Sequence, residues 1–459
     1  MLKKIFSYGF IEGIAKGLNK LTVLLLPFFL DAASYGKIGL VISLELLLPF
    51  ISLLGLERAV LRFYSERSSI PNFSKTISLS ITYVHGLIIA LLICLYFSGI
   101  KVILGLDIFP DLILITLLVY FGGKNLITLN KFRVDENHRM YYRGRLYIQV
   151  SKLVLVLLFV FLTKSYIGYL IGSIISAITA NALFRVQAIK DNYKKENFDK
   201  QVFTYLFAFS WPFIFHGIAT NFLGNADKFV LEHFMSIKDV GLYTLIYLIG
   251  SSMMFAYIGT SVYIEPLIYK EKINAKREQL LNKYLIITLL FGLSAFIIIS
   301  LISEYVLPHF YSESYTEAFQ YIPLIALSFL MYPFYLKSNY KMIYEKRTLL
   351  IALLSITSCL FNLGLNIYLI PNYGIYAAVI ATLASFILQA ILFIYFVNRC
   401  LINKEFIYVV ALSVILSISV FLHFKVYLVV AILAIYILIL FLDMHKSTHL
   451  NEKIDCYDY

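Results

Sequence analysis

Glu12, Lys16, Asn19 and Lys20 share one helical face inside the first hydrophobic stretch of this 459-residue chain. A lysine at the centre of a membrane span costs about 2.5–3.5 kcal/mol on insertion scales, so two on one face need a reason. A Glu12–Lys16 pair at i, i+4 would let the helix carry polar groups quietly, but it leaves Lys20 without a carboxylate on its own helix. The chemistry that the face offers is anion binding. Two compact charges on flexible stems, with the Asn19 amide between them, suit a phosphate that moves past them. On that reading Lys16, Asn19 and Lys20 line a water-filled cleft.

Other polar residues sit at similar depth. Lys124 follows Gly122-Gly123 in the fourth stretch, beside Asn125, and is assigned to the same cleft. Lys152 with Gln149 lies near the end of the fifth and either joins the cleft or snorkels to the interface. Glu45 in the second stretch is a further polar candidate. Arg58 and Arg62, one turn apart after the second stretch, form an entrance funnel or serve as ordinary cytoplasmic anchors. His85 and His216 are lone intramembrane histidines, read as hydrogen-bonded core groups. Cys94, Cys359, Cys400 and Cys456 are scattered, which indicates neither a disulfide nor a metal site. The chain has no nucleotide-binding Gly-rich loop, no His-Glu-x-x-His and no nucleophile elbow, so ATP-driven work by this chain alone is not expected.

The elements that position these groups are membrane helices. Sixty per cent apolar residues, 14% charged and a mean hydropathy of +0.82 fall outside the soluble class. About fourteen runs can cross roughly 30 Å of hydrocarbon. They lie near 7–30, 38–56, 77–98, 108–129, 146–163, 165–186, 203–224, 240–262, 281–302, 319–337, 348–370, 373–397, 406–423 and 425–442. The expected fold is therefore an all-α integral membrane protein. The net charge of +12 follows topology: roughly 29 basic residues fall in alternate, cytoplasmic loops against roughly 6 outside, which puts both termini inside. Arg67, Arg145, Lys190 and Lys195 are among the cytoplasmic set. A nucleic-acid partner is excluded on this distribution; membrane lipids are the expected neighbours. The basic amino terminus has the outline of a signal peptide, but Glu12, Lys16 and Lys20 interrupt its apolar run, so it is read as a retained span.

Self-comparison shows a duplication. Gly13-Ile14-Ala15 returns as Gly217-Ile218-Ala219, Tyr35-Gly36 as Val240-Gly241, and Tyr166-Ile167-Gly168-Tyr169 as Tyr373-Gly374-Ile375-Tyr376, at offsets of about 204–206. Six spans per copy is even, which implies a parallel pseudo-repeat with a substrate site between the halves. The expected organisation is two six-helix lobes, 1–200 and 201–400, two additional helices in 401–443, and a polar cytoplasmic tail in 444–459.

Three stretches resemble a known family. They are Asn225-Ala226-Asp227-Lys228 with Gly241 and Tyr243, then Asn362 and Asn366 running into Pro371, Tyr373 and Gly374, and lastly Tyr35-Gly36. With them the chain resembles the O-antigen and capsule repeat-unit flippases, polysaccharide exporters of the multidrug/oligosaccharidyl-lipid/polysaccharide exporter superfamily. The resemblance implies alternating access on undecaprenyl-diphosphate-linked oligosaccharide in a bacterial inner membrane, for lipopolysaccharide or capsule synthesis. It implies cationic cavity residues, matched here by Lys16, Lys20 and Lys124, and the polysaccharide-assembly proteins as partners. No cofactor is expected beyond the membrane potential or a proton or sodium gradient. A cation-coupled multidrug antiporter working through Glu12 or Glu45 is the alternative, and a polysaccharide polymerase or ligase a weaker one. The short external segments near 225–239 and 303–318 offer only His233 and His309 for catalysis.

Overall fold

The computed structural model describes residues 2–64, 70, 72–188 and 197–398. The two additional spans expected at 406–423 and 425–442, the polar tail, and Arg67, Lys190 and Lys195 lie outside the described residues.

Helices dominate because a backbone in lipid must satisfy its own polar groups. In chain order they are α1 Leu2–Leu25, α2 Ala32–Ser52, α3 Leu56–Phe63, α4 Phe73–Phe97, α5 Ile113–Val134, α6 His138–Thr163, α7 Tyr166–Ala188 and α8 Lys200–Phe222. Then follow α9 Ala226–Phe234, α10 Ile237–Gly250, α11 Met254–Lys270, α12 Asn274–Leu301, α13 Glu313–Thr316, α14 Ile322–Leu330, α15 Tyr332–Tyr344 and α16 Thr348–Asn398. A two-residue antiparallel pairing, Val102–Ile103 with Leu106–Asp107, joins α4 to α5. Among the described residues nine helical segments are long and apolar enough to cross a membrane, or ten with α8, which bends by 46°. The protein is a multi-pass, all-α membrane protein, and the first twelve expected spans fall on helical segments, with 240–262 divided between α10 and α11 and 319–337 between α14 and α15. The charges of α1 keep it out of the nine, although its 24 residues span about 36 Å. In α16, Pro371 lacks the N–H that a helix needs and Gly374 adopts φ +54°, so the last two of these twelve spans part there.

Two compact units are present: one comprises Met1–Leu248 with Ser355–Ala381, the other Ile249–Leu354 with the chain from Thr382 onward. In the first, α6 packs along α7 and α1, and α5 along α7 and α2. Leu53, Leu56, Val60, Phe63 and Phe73 form an apolar cluster with Ile77, Ile81 and Leu206 that seats α3 against α4 and α8. In the second, α11, α12, α14 and α15 pack together, with Ile264, Ile268, Leu281, Tyr284 and Tyr340 at one centre.

Gly36 and Gly241, matched to each other in the sequence, meet inside the first unit. A Cβ on Gly36 would meet the Ile237 carbonyl and lie 3.0 Å from the Gly241 nitrogen; one on Gly241 would meet the Ala32 carbonyl and lie 3.0 Å from the Gly36 nitrogen. Gly39 faces Thr244 in the same register. The two glycine positions thus touch each other reciprocally where α2 meets α10.

Candidate functional site

α1 and α6 carry polar stripes of one spacing. Glu12, Lys16 and Asn19 on α1, and Arg145, Gln149 and Lys152 on α6, stand at i, i+4 and i+7, which places each set on one helical face. The two stripes meet because α1 lies against α6. The Glu12 carboxylate accepts from Arg145 Nε at 2.9 Å and Nη2 at 3.0 Å, and from the Tyr141 hydroxyl at 2.6 Å. This planar fork is the strongest geometry open to a carboxylate. A Glu12–Lys16 ion pair therefore does not form, and Lys16 makes no hydrogen bond or ion pair among the described residues.

A second carboxylate is held at the next level. Glu45 of α2 accepts from Lys152 Nζ at 2.9 Å and from the Tyr169 hydroxyl of α7 at 2.9 Å. Lys152 is buried and its ammonium stands 5.2 Å from the centre of the Tyr169 ring. It does not snorkel.

These groups line a cavity of about 280 Å³ between α1, α2, α5, α6 and α7. Lys16, Asn19, Glu45, Arg145, Gln149 and Lys152 contribute, with Asn125 of α5 and Ser173 and Ser176 of α7. The Asn125 amide is fixed by donating to the Ala177 carbonyl at 2.9 Å and accepting from Asn181 at 3.3 Å. Gln149 Oε1 and the Ser173 hydroxyl are buried and find no partner among the described residues, so this polar chamber holds groups ready for water or a ligand. Lys16, Arg145 and Lys152 against Glu12 and Glu45 leave one net positive charge, and the charge without a bonded partner is that of Lys16. The chamber suits an anion. The sequence reading puts Lys16 on a cleft between two halves; the cavity it lines is open to one side, with Lys16 itself exposed, and is bounded by α1, α2, α5, α6 and α7.

The remaining candidates are distributed elsewhere. Lys20 is not in the cavity lining; its ammonium donates to the Leu248 carbonyl of α10 at 3.3 Å, so Lys16 and Lys20 do not form a joint clamp here. Lys124 is also outside the cavity, contrary to expectation. It donates to the Tyr120 hydroxyl and lies 4.1 Å from that ring's centre, while Tyr120 packs edge-on to His85 at 5.2 Å. One residue along a helix is about 100° of rotation, which gives the cavity Asn125 and turns Lys124 toward α4. Arg58 is exposed, 3.9 Å from Glu57 and 5.9 Å from the Phe213 ring, and Arg62 stands over Phe63. Neither lines the cavity.

The family-motif residues build joints. Asn225 donates to the Asn221 carbonyl and accepts from Lys228, both at 3.1 Å, and Asp227 accepts from the Tyr243 hydroxyl. All of Asp227, Lys228 and Tyr243 are buried, tying α9 to α8 and α10. Asn366 donates to Asn362 at 2.9 Å within α16, and both are buried. Pro371 and Gly374 make the break in α16, with Tyr373 exposed beside it.

Arg145, Tyr141 and Tyr169 belong to the site and were not singled out from sequence. The signal was present in the Arg145, Gln149 and Lys152 spacing. Apolarity alone starts the fifth span at 146 and leaves Arg145 among the loop charges, whereas the helix begins about two turns earlier, at His138.

Comparison with known proteins accords with this architecture. Residues 1–264, more than half of the chain, match the family described as polysaccharide biosynthesis protein. The chain belongs to that family. No curated protein sequence matches it. Among solved structures it is similar to the lipid II flippase MurJ in an inward closed conformation, with a TM-score of 0.66 at 16% identity over 95% of this chain and 99% of that one. It is also similar to a multidrug resistance MATE family transporter of the MOP superfamily, inward-facing, with a TM-score of 0.63 at 11% identity over 87% and 96%. The outward-facing form of such a transporter gives 0.61 at 13% over 89% and 96%. These likenesses establish the fold.

Proposed function

We propose that the protein is a flippase for a lipid-linked oligosaccharide, carrying an undecaprenyl-diphosphate-linked repeat unit of the O-antigen or capsule kind from the cytoplasmic to the external leaflet of a bacterial inner membrane. Both termini then face the cytoplasm, as the basic loops require. The observation that carries the reading is Lys16: a cation at membrane depth, in a polar chamber, with no carboxylate bound to it. At an effective dielectric of 20, one such charge 4 Å from a phosphate contributes about 4 kcal/mol before desolvation. Moving two negative charges outward across an inside-negative 100 mV releases about 4.6 kcal/mol, so the membrane potential assists export.

In a strain lacking the native gene, Lys16→Gln should abolish surface polysaccharide at normal protein level and trap lipid-linked repeat units on the inner leaflet. Export at the wild-type level would overturn the reading. Lys20→Gln, with its ammonium on a backbone carbonyl, should have the smaller effect.

The MATE-like fold supports a second reading, a cation-coupled drug antiporter using Glu12 or Glu45. Both carboxylates are here engaged by a basic residue and a tyrosine, which favours the first. Drug resistance on expression, lost in Glu45→Gln and kept in Lys16→Gln, would reverse that preference.

A further inference from the structure

We propose that Arg145 is a second anchor for the diphosphate and that Glu12 occupies it until the diphosphate arrives. The inference rests on the flippase reading. A diphosphate diester carries two negative charges, whereas the chamber offers only the one uncommitted cation, Lys16. The second must be released from a carboxylate, and the two candidates differ. Lys152 is enclosed, with a side chain only 10% exposed, and shares Glu45 with Tyr169. The carboxylates are alike, Glu12 at 28% exposed and Glu45 at 25%, each with a tyrosine donor; the cations differ, Arg145 being 24% exposed and using only Nε and Nη2 on Glu12. Its remaining nitrogen, Nη1, has no hydrogen bond among the described residues.

Glu12 and Lys16 are one turn apart on α1, so their Cβ atoms lie about 5–6 Å from one another. A diphosphate seated on Lys16 therefore sits beside the Glu12–Arg145 pair and repels the carboxylate while attracting the guanidinium. A planar fork matches two phosphate oxygens as well as it matches a carboxylate. Tyr141, which donates to Glu12, remains behind as a further donor. Displacement asks for two charges at once. A singly charged anion engages Lys16 without dislodging Glu12, so the place-holder makes the chamber select a doubly charged diphosphate over a singly charged phosphate.

The test is titration calorimetry of the full chain in detergent with inorganic pyrophosphate, then with inorganic phosphate, both at about pH 5.5, where pyrophosphate is chiefly a dianion and phosphate a monoanion. Glu12→Gln should bind pyrophosphate about tenfold tighter and narrow its preference over phosphate. Arg145→Gln should weaken pyrophosphate about tenfold, and in that background Glu12→Gln should change nothing further. An unchanged affinity in Glu12→Gln, or the same gain in the double variant, would overturn the proposal. Arg145→Lys keeps the charge and loses the fork; it should fold and lose the preference for pyrophosphate, and a retained preference also counts against it. Farnesyl diphosphate in nanodiscs should compete with pyrophosphate; its failure to compete would place a soluble anion there and overturn the lipid assignment. Pyrophosphate binding that survives Lys16→Gln unchanged strikes the flippase reading itself, whatever the Arg145 variants do.

Discussion

The interiors of the two units solve the same problem with different chemistry. In the first, α1, α2, α5, α6 and α7 surround a chamber carrying three cations and served by two carboxylates. In the second, the buried polar groups at membrane depth are mostly neutral hydroxyls. Tyr284 exchanges a hydrogen bond with Ser261 at 2.9 Å, Tyr257 donates to the Phe329 carbonyl at 3.0 Å, and the Tyr284 and Tyr340 rings meet at 5.3 Å. Its charges stay near helix ends, as in the Glu278–Lys341 pair and Arg277 over the Tyr344 ring. A neutral hydroxyl needs one partner and costs little when it is satisfied; a buried charge needs a counter-charge and is costly once stranded. Among the described residues the charged chamber belongs to the first unit.

That contrast predicts unequal responses to mutation. The largest belongs to the first unit: Lys152→Met strands Glu45 and should lower stability by about 3–5 kcal/mol. Glu45→Met with Lys152→Met should recover most of it, read as thermal unfolding in detergent. A tolerated Lys152→Met would remove the energetic difference between the units. In the second unit Tyr284→Phe should cost only about 0.5–1.5 kcal/mol and leave transport intact; a larger loss, or failed transport, would show function distributed over both. The smallest effect concerns Glu57, just beyond the end of α2. Burial lifts its carboxyl above the ordinary range, with Arg58 only partly offsetting this. A raised acid is most comfortable protonated, so its contribution to stability falls as pH rises through and above the usual carboxylate range. Glu57→Gln should therefore add up to about 1 kcal/mol at neutral pH and nothing at low pH. Equal gain at both would assign the effect to packing.

The membrane helices were legible because length and apolarity alone mark a span, and the α16 break announced itself through Pro371 and Gly374. Lys16, Asn19 and Glu45 were legible as costly residues at depth. Their partners were not. Glu12 to Arg145 crosses from α1 to α6, and Glu45 to Lys152 from α2 to α6; such pairings depend on helix rotation and register, which a single sequence does not carry. Lys124 shows the scale of the difficulty, since one residue of rotation separates it from Asn125 and from the chamber. The Arg145 omission is a boundary error of about two helical turns, the least reliable part of any span assignment.

The crossing of α2 over α10 has an evolutionary cost built into it. What each glycine faces is the main chain of the other helix: a carbonyl oxygen and an amide nitrogen. Backbone cannot be trimmed by mutation as a leucine can be cut to alanine. A methyl group acquired on either side thus has no remedy on the other, and the two positions are bound to remain bare together.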